Sequence, residues 1–125
     1  MYGEKIKNHY SNPRNSGRIA NPSAEAIVRS PVDSDTVLIT LNIENGVVTD
    51  VRFKCMGCPV AIACSSMATE MVRGKPVEEA ERISKQDVAE ALGGIPEYKM
   101  VCSNLAPDAI RKALQDWRKR QTETI

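Results

Sequence analysis

Residues 36–55 read TVLITLNIENGVVTDVRFKC, and no other stretch limits the fold as much. Val37, Ile39, Leu41 and Ile43 alternate with Leu38, Thr40, Asn42 and Glu44, the period of two that suits a half-buried strand. Asn45-Gly46 then supplies two residues at ease with positive φ, as a type I′ hairpin turn requires. On the return, Val51, Phe53 and Cys55 share one face, and Asp50, Arg52 and Lys54 the other. The stretch predicts an antiparallel hairpin with one apolar face, and such a face must be covered.

The rest of the chain offers the cover. Pro59 suits a first helical position, where its missing N–H is no loss, and Gly74 suits the residue after a helix end. Between them Ala61, Cys64, Ala68, Met71 and Val72 recur at helical spacing. PVEEAERI and KQDVAEAL read as two short helices, and Leu105 to Gln121 as a long one with Ala106, Ile110, Leu114 and Trp117 on one face. Ser103-Asn104 is expected to cap that last helix. Upstream, YGEKIKNHYS predicts a short helix stopped at Asn12-Pro13, NPRNSGRIANPSAE a loop, and AIVR a strand. The expected fold is α+β, a three-stranded antiparallel sheet with helices packed on one face. One domain should span residues 1–125, with 1–23 a mobile lead-in.

At 125 residues the chain can bury one core without staples. A formal charge of +1 with interspersed signs argues against a nucleic-acid groove or a polybasic membrane arm. The polar start MYGEKIKNHYSNPRN is no signal peptide, and no apolar run is long enough to span a membrane. A cytoplasmic location is expected. There clustered cysteines stay reduced, so they read as metal-binding or catalytic before disulfide-forming.

Three of the four cysteines fall in FKCMGCPVAIACSS, and Cys102 lies downstream in YKMVCSN. Cys55 and Cys58 form a Cys-x-x-Cys across a strand-to-helix turn, a spacing that suits one metal ion or a redox dithiol. Cys58 stands at the expected helix N-cap, where free N–H groups and the dipole favour a thiolate. Cys55 shares the apolar face of Val51 and Phe53, so a core role and a ligand role both stay open. Cys64 lies six residues past Cys58, roughly 9 Å up the helix and out of phase with it, which favours a core position. Asp33 and Asp35 in SPVDSDT read either as ligands or as turn formers bonding nearby N–H groups. His9, the only histidine, reads as structural.

Four segments carry a resemblance: EKIKNHYSNPRNSG at 4–17, SPVDSDTVLITL at 30–41, RFKCMGCPVAIACSSMATEMVRGK at 52–75 and YKMVCSNLAPDAIRKAL at 98–114. In this order they are similar to the IscU/NifU-type iron–sulfur cluster assembly scaffolds. The resemblance implies a scaffold, not an enzyme, that accepts sulfur from an IscS/NifS-like cysteine desulfurase and passes a cluster to apo iron–sulfur proteins. It implies a [2Fe-2S] or [4Fe-4S] cluster at Cys58, Cys102 and Asp35, with sulfur acceptance open among Cys102, Cys58 and Cys55 and Cys102 named first. Two positions depart from the family: Asp33 replaces its first cysteine and Val101 a histidine. Cys55 and Cys64 are additions, which points to a rewired site of Cys55, Cys58 and Cys102 completed by Asp33, Asp35 or Cys64. The alternative is a zinc-binding sulfur acceptor that activates the desulfurase. A third reading is a desulfurase partner without a cluster of its own. Tyr2 matches a tyrosine implicated in self-association, so a homodimer belongs with the expectations. IPEYK keeps only Pro96 and Lys99 of the bacterial chaperone-binding segment, too little to carry over an Hsp70-type partner.

Overall fold

Three antiparallel strands, β1 (Ala24–Arg29), β2 (Thr36–Glu44) and β3 (Val47–Met56), lie in the order β1-β2-β3. The structure, a computed structural model, describes residues 3–31 and 34–123, and of residues 98, 101, 122 and 123 only the backbone. Asn45 and Gly46 take φ of 54° and 75°, so the β2–β3 turn is the one their chemistry favours. Register puts Ala24, Leu41 and Val51 side by side, then Ala26, Ile39 and Phe53, then Val28, Val37 and Cys55. These rows make the inner face. Near the turn a bulge at Asn42/Ile43 breaks strict alternation. It brings Val48 into the core and leaves Ile43 only half-buried.

Six α-helices follow the chain among the described residues: α1 (Glu4–Ser11), α2 (Pro59–Val72), α3 (Val77–Ala80), α4 (Lys85–Ala91), α5 (Met100–Ser103) and α6 (Leu105–Glu123). A 3₁₀ turn (Glu97–Lys99) precedes α5. Helix α6 lies over β1 and β2, and α2 over β3, with α1 on the far side of α2. Their apolar stripes, Ala106, Ile110 and Leu114 from α6 and Val60, Ala63, Cys64, Ala68 and Val72 from α2, close the core against the sheet. Each fully buried Ile, Leu or Val contributes about 1.5–3 kcal/mol relative to an exposed side chain.

Two expectations shift. The helix read over PVEEAERI is a single turn, Val77–Ala80, because Ser84 turns extended and starts α4 through a reciprocal capping box with Asp87. Of Ser103-Asn104, only Asn104 heads α6, its carbonyl accepting from the Asp108 N–H at 3.0 Å; Ser103 belongs to α5 and its hydroxyl donates to the Met100 carbonyl. The described part of the lead-in, residues 3–23, makes specific contacts with the body of the fold. Ile6 is buried, Gly17 N–H donates to the Phe53 carbonyl at 2.8 Å, and Phe53 N–H donates to the Asn15 carbonyl at 2.9 Å. These bonds occupy part of the β3 edge, which otherwise invites pairing with another chain.

Candidate metal centre

The hairpin end, the start of α2 and the short α5 meet at one point. Cys58 is the N-cap of α2, extended at φ −72° and ψ 166°, and its side chain makes no capping bond. Its thiol is therefore free to face away from the helix. Cys102 sits buried on α5, with its Sγ 3.6 Å from Cys58 Sγ. Asp35, just before β2, places Oδ2 3.3 Å from the Cys58 backbone nitrogen, which donates to it, and 3.9 Å from Cys102 Sγ. Ligand atoms of Asp35, Cys58 and Cys102 all lie within 4.8 Å of one another, the group with metal-ligand spacing among the described residues.

Those spacings fit a shared metal. Two sulfurs each about 2.3 Å from one tetrahedral ion stand about 3.8 Å apart, whereas a disulfide needs about 2.05 Å. The observed 3.6 Å is close to the first value, and all four cysteines are free. A mixed sulfur and carboxylate set suits zinc or iron, and thiolates suit iron–sulfur clusters.

Burial shapes the thiols. It pushes Cys102 up to about 12; contact with the Cys58 thiol and the Asp35 carboxylate adds to the rise, and the Lys99 ammonium opposes it. Cys102 thus favours its protonated form at neutral pH even with Lys99 nearby, when no metal is bound. A bound metal or an approaching positive group must release that proton.

The other sequence candidates fall elsewhere. Cys55 lies on the inner face of β3, beside Val37, in hydrogen-bond contact with Ser65, and burial raises its thiol to about 11. It is near Cys58 but outside the group of three. Cys64 is 1% exposed within the core cluster, and burial raises its pKa strongly. Asp33 and Tyr2 lie outside the described residues, as does the side chain of Val101. His9 is buried between α1 and α2, with Nδ1 2.8 Å from Ser66 Oγ, away from the cysteines.

Two contributors escaped the sequence reading. A Cβ on Gly57 would stand 2.7 Å from Asp35 Cγ and 2.9 Å from Oδ2, so the glycine leaves the space the carboxylate fills. Its φ is not positive, so space and not backbone conformation is what calls for glycine there. Lys99 supplies a cation near Cys102. The glycine between Cys55 and Cys58 was the available signal for the first; nothing local marked the second.

Comparison with known proteins agrees with this architecture. Residues 1–124 match the model of the NifU-like N terminal domain. An iron–sulfur cluster assembly scaffold protein IscU of Archaeoglobus fulgidus is 46% identical over 120 residues, covering 96% of this chain and 78% of that protein. The Escherichia coli K12 protein of the same description is 40% identical over 124 residues, 96% of each chain. Among solved structures, a NifU-like protein (N-terminal) from Brucella abortus superposes with a TM-score of 0.77 at 24% identity, covering 94% of both chains. A putative SUF-system scaffold from Fervidobacterium islandicum gives 0.74 at 21% identity, over 90% of this chain and 96% of that one. The structural likeness speaks to the fold, and the match over 1–124 with relatives at 40% and 46% identity settles the lineage: the chain belongs to the family of the NifU-like N-terminal domain.

Proposed function

We propose that this protein is an iron–sulfur cluster assembly scaffold whose cargo is built at Asp35, Cys58 and Cys102. The observation that carries the reading is the convergence of two thiols and a carboxylate within 4.8 Å, at spacings that suit ligands of one metal. The names of the relatives, scaffold proteins of cluster assembly, support it. A nascent cluster wants four protein ligands. Asp33, two residues before Asp35, or Cys55, beside Cys58, supplies the fourth in this reading.

Sulfur would arrive from a cysteine desulfurase as a persulfide. The Cys102 thiolate attacks the terminal sulfur; the new S–S bond forms as the old one breaks, and the enzyme's thiolate leaves with the electron pair. Cluster transfer to apo iron–sulfur proteins, a cytoplasmic setting and a homodimeric state belong to the same proposal. No helix among the described residues is long and apolar enough to cross a membrane.

The second reading, a zinc-binding sulfur acceptor that stimulates the desulfurase, is favoured by one detail: two sulfurs and one oxygen make a three-ligand set that leaves a zinc ion an open position. Anaerobic purification, absorption spectroscopy and metal analysis separate the two. Iron and acid-labile sulfide in near-equal amounts, with a visible chromophore, are expected for the scaffold. Stoichiometric zinc and no chromophore after reconstitution would reject it in favour of the second.

A further inference from the structure

Of the two outer strands, β3 has its free edge closed and β1 does not. Along the β3 edge Phe53 exchanges main-chain bonds with Asn15 and Gly17, and Val48 with Gly74 and Lys75. Nothing equivalent borders β1, which pairs with β2 alone among the described residues. An open row of N–H and C=O groups is a template for another strand. Pro22 and Pro31, which cannot donate, stand on either side of it.

The register decides which residues face that edge. Phe53 directs its main-chain groups to the β3 edge, so Ile39 opposite it turns its own toward β1. The Ser30 N–H donates to the Asp35 carbonyl at 2.8 Å, in step with that alternation. Ala24, Ala26 and Val28 therefore bond β2, and Glu25, Ile27 and Arg29 direct their N–H and C=O groups outward. The side chains of these three share the outer face of the sheet. Ile27 is 59% exposed there, beside Leu38 of β2. Glu25 holds an exposed ion pair with Arg18 at 3.2 Å, and Arg29 is exposed with no ion pair among the described residues.

Glu-x-Ile-x-Arg complements itself when two copies run antiparallel. With Ile27 on the two-fold axis, Ile27 meets Ile27 and Glu25 meets Arg29 at both ends, each pair exchanging both main-chain bonds. Leu38, Ile27 and their copies then form one apolar row across the outer face, flanked by opposite charges. Other registers set Ile27 against a charge or two like charges against each other. We propose that β1 pairs with β1 of a second copy of this chain, centred on Ile27, so that two three-stranded sheets become one. The pairing rests on the homodimeric part of the reading above. It needs no metal, so it stands or falls apart from the metal chemistry.

The test is sedimentation equilibrium of the full-length chain, held metal-free and reduced, with amide exchange followed over the same concentrations. A monomer–dimer equilibrium with Kd of about 10–100 μM is expected, as befits a small interface. Ile27→Lys, at an exposed position, should weaken it about tenfold or more. Arg29→Glu and Glu25→Arg should each weaken it about fivefold by opposing like charges, and the double swap should recover most of that loss. Exchange at Glu25, Ile27 and Arg29 should slow about fivefold as the dimer fills, while Ala26 and Val28, already bonded to β2, stay unchanged. The proposal is overturned by a chain still monomeric at about 500 μM, by species that grow beyond the dimer, or by a dimer indifferent to Ile27→Lys. A double swap no tighter than the single variants, or unchanged exchange at Ile27, overturns it equally.

Discussion

The Asp35 carboxylate fills the space in which a side chain on residue 57 would stand, with a Cβ there only 2.7 Å from Asp35 Cγ. Gly57 thereby lets Asp35 accept the Cys58 N–H at 3.3 Å and stay beside both thiols. Gly57→Ala should lower metal affinity about tenfold to a hundredfold, the range seen when a ligand's support is lost. In an Asp35→Ala background the same change should do nothing more, because its effect passes through Asp35. Competition titration with a chromophoric chelator on the four proteins reads the coupling directly. Additive effects would show that Gly57 acts on the backbone instead.

The cysteines should sort by position. Cys58→Ser and Cys102→Ser should each abolish retention of iron and sulfide or of zinc. Cys64→Ala should keep the full complement of metal and destabilise the fold by about 1–2 kcal/mol, since it removes a buried core atom. Cys55→Ser decides the fourth ligand: full retention assigns it to Asp33, and loss assigns it to Cys55. Metal analysis beside a urea melt of each variant makes the comparison.

Ser66 holds the lead-in to α2 through His9 Nδ1 and the Arg14 N–H. Ser66→Ala strands a buried N–H and a ring nitrogen, at a cost of about 2 kcal/mol. Amide exchange should quicken over residues 4–17 more than over the β2–β3 hairpin. Uniform loss of protection would show instead that the lead-in and the sheet unfold together.

His9 also sets an acid limb. Burial, then the Arg14 charge, lower its pKa below the ordinary 6.5. As pH falls past 6.5, the unfolded chain takes up the proton first, so the folded state loses its advantage. Stability should be constant in this term above about pH 7 and decline from pH 6.5 down to the lowered folded value. Thermal melts between pH 5 and pH 7.5 should show that slope in the wild type, and His9→Gln should flatten it.

What the sequence by itself determined was local. Alternation over 37–43 and 51–55 with Asn45-Gly46 between them specified the hairpin, and Pro59 with Gly74 bounded α2, because turn and helix-end chemistry acts over a few residues. The long, periodic α6 was legible for the same reason, and PVEEAERI kept a single helical turn, Val77–Ala80, where a capping box at Ser84 outweighed helix periodicity. The family resemblance named Cys58, Cys102 and Asp35 together, but no local rule brings them there. They are separated by 23, 44 and 67 residues, and only the docking of α2 and α5 against the hairpin end decides that their ligand atoms meet. The same packing set two cysteines, Cys55 on a strand face and Cys64 on a helix, at different depths. Cys64 points into the core and Cys55 to the edge of the site, since burial is a property of what packs opposite a residue and not of the residue's neighbours in the chain.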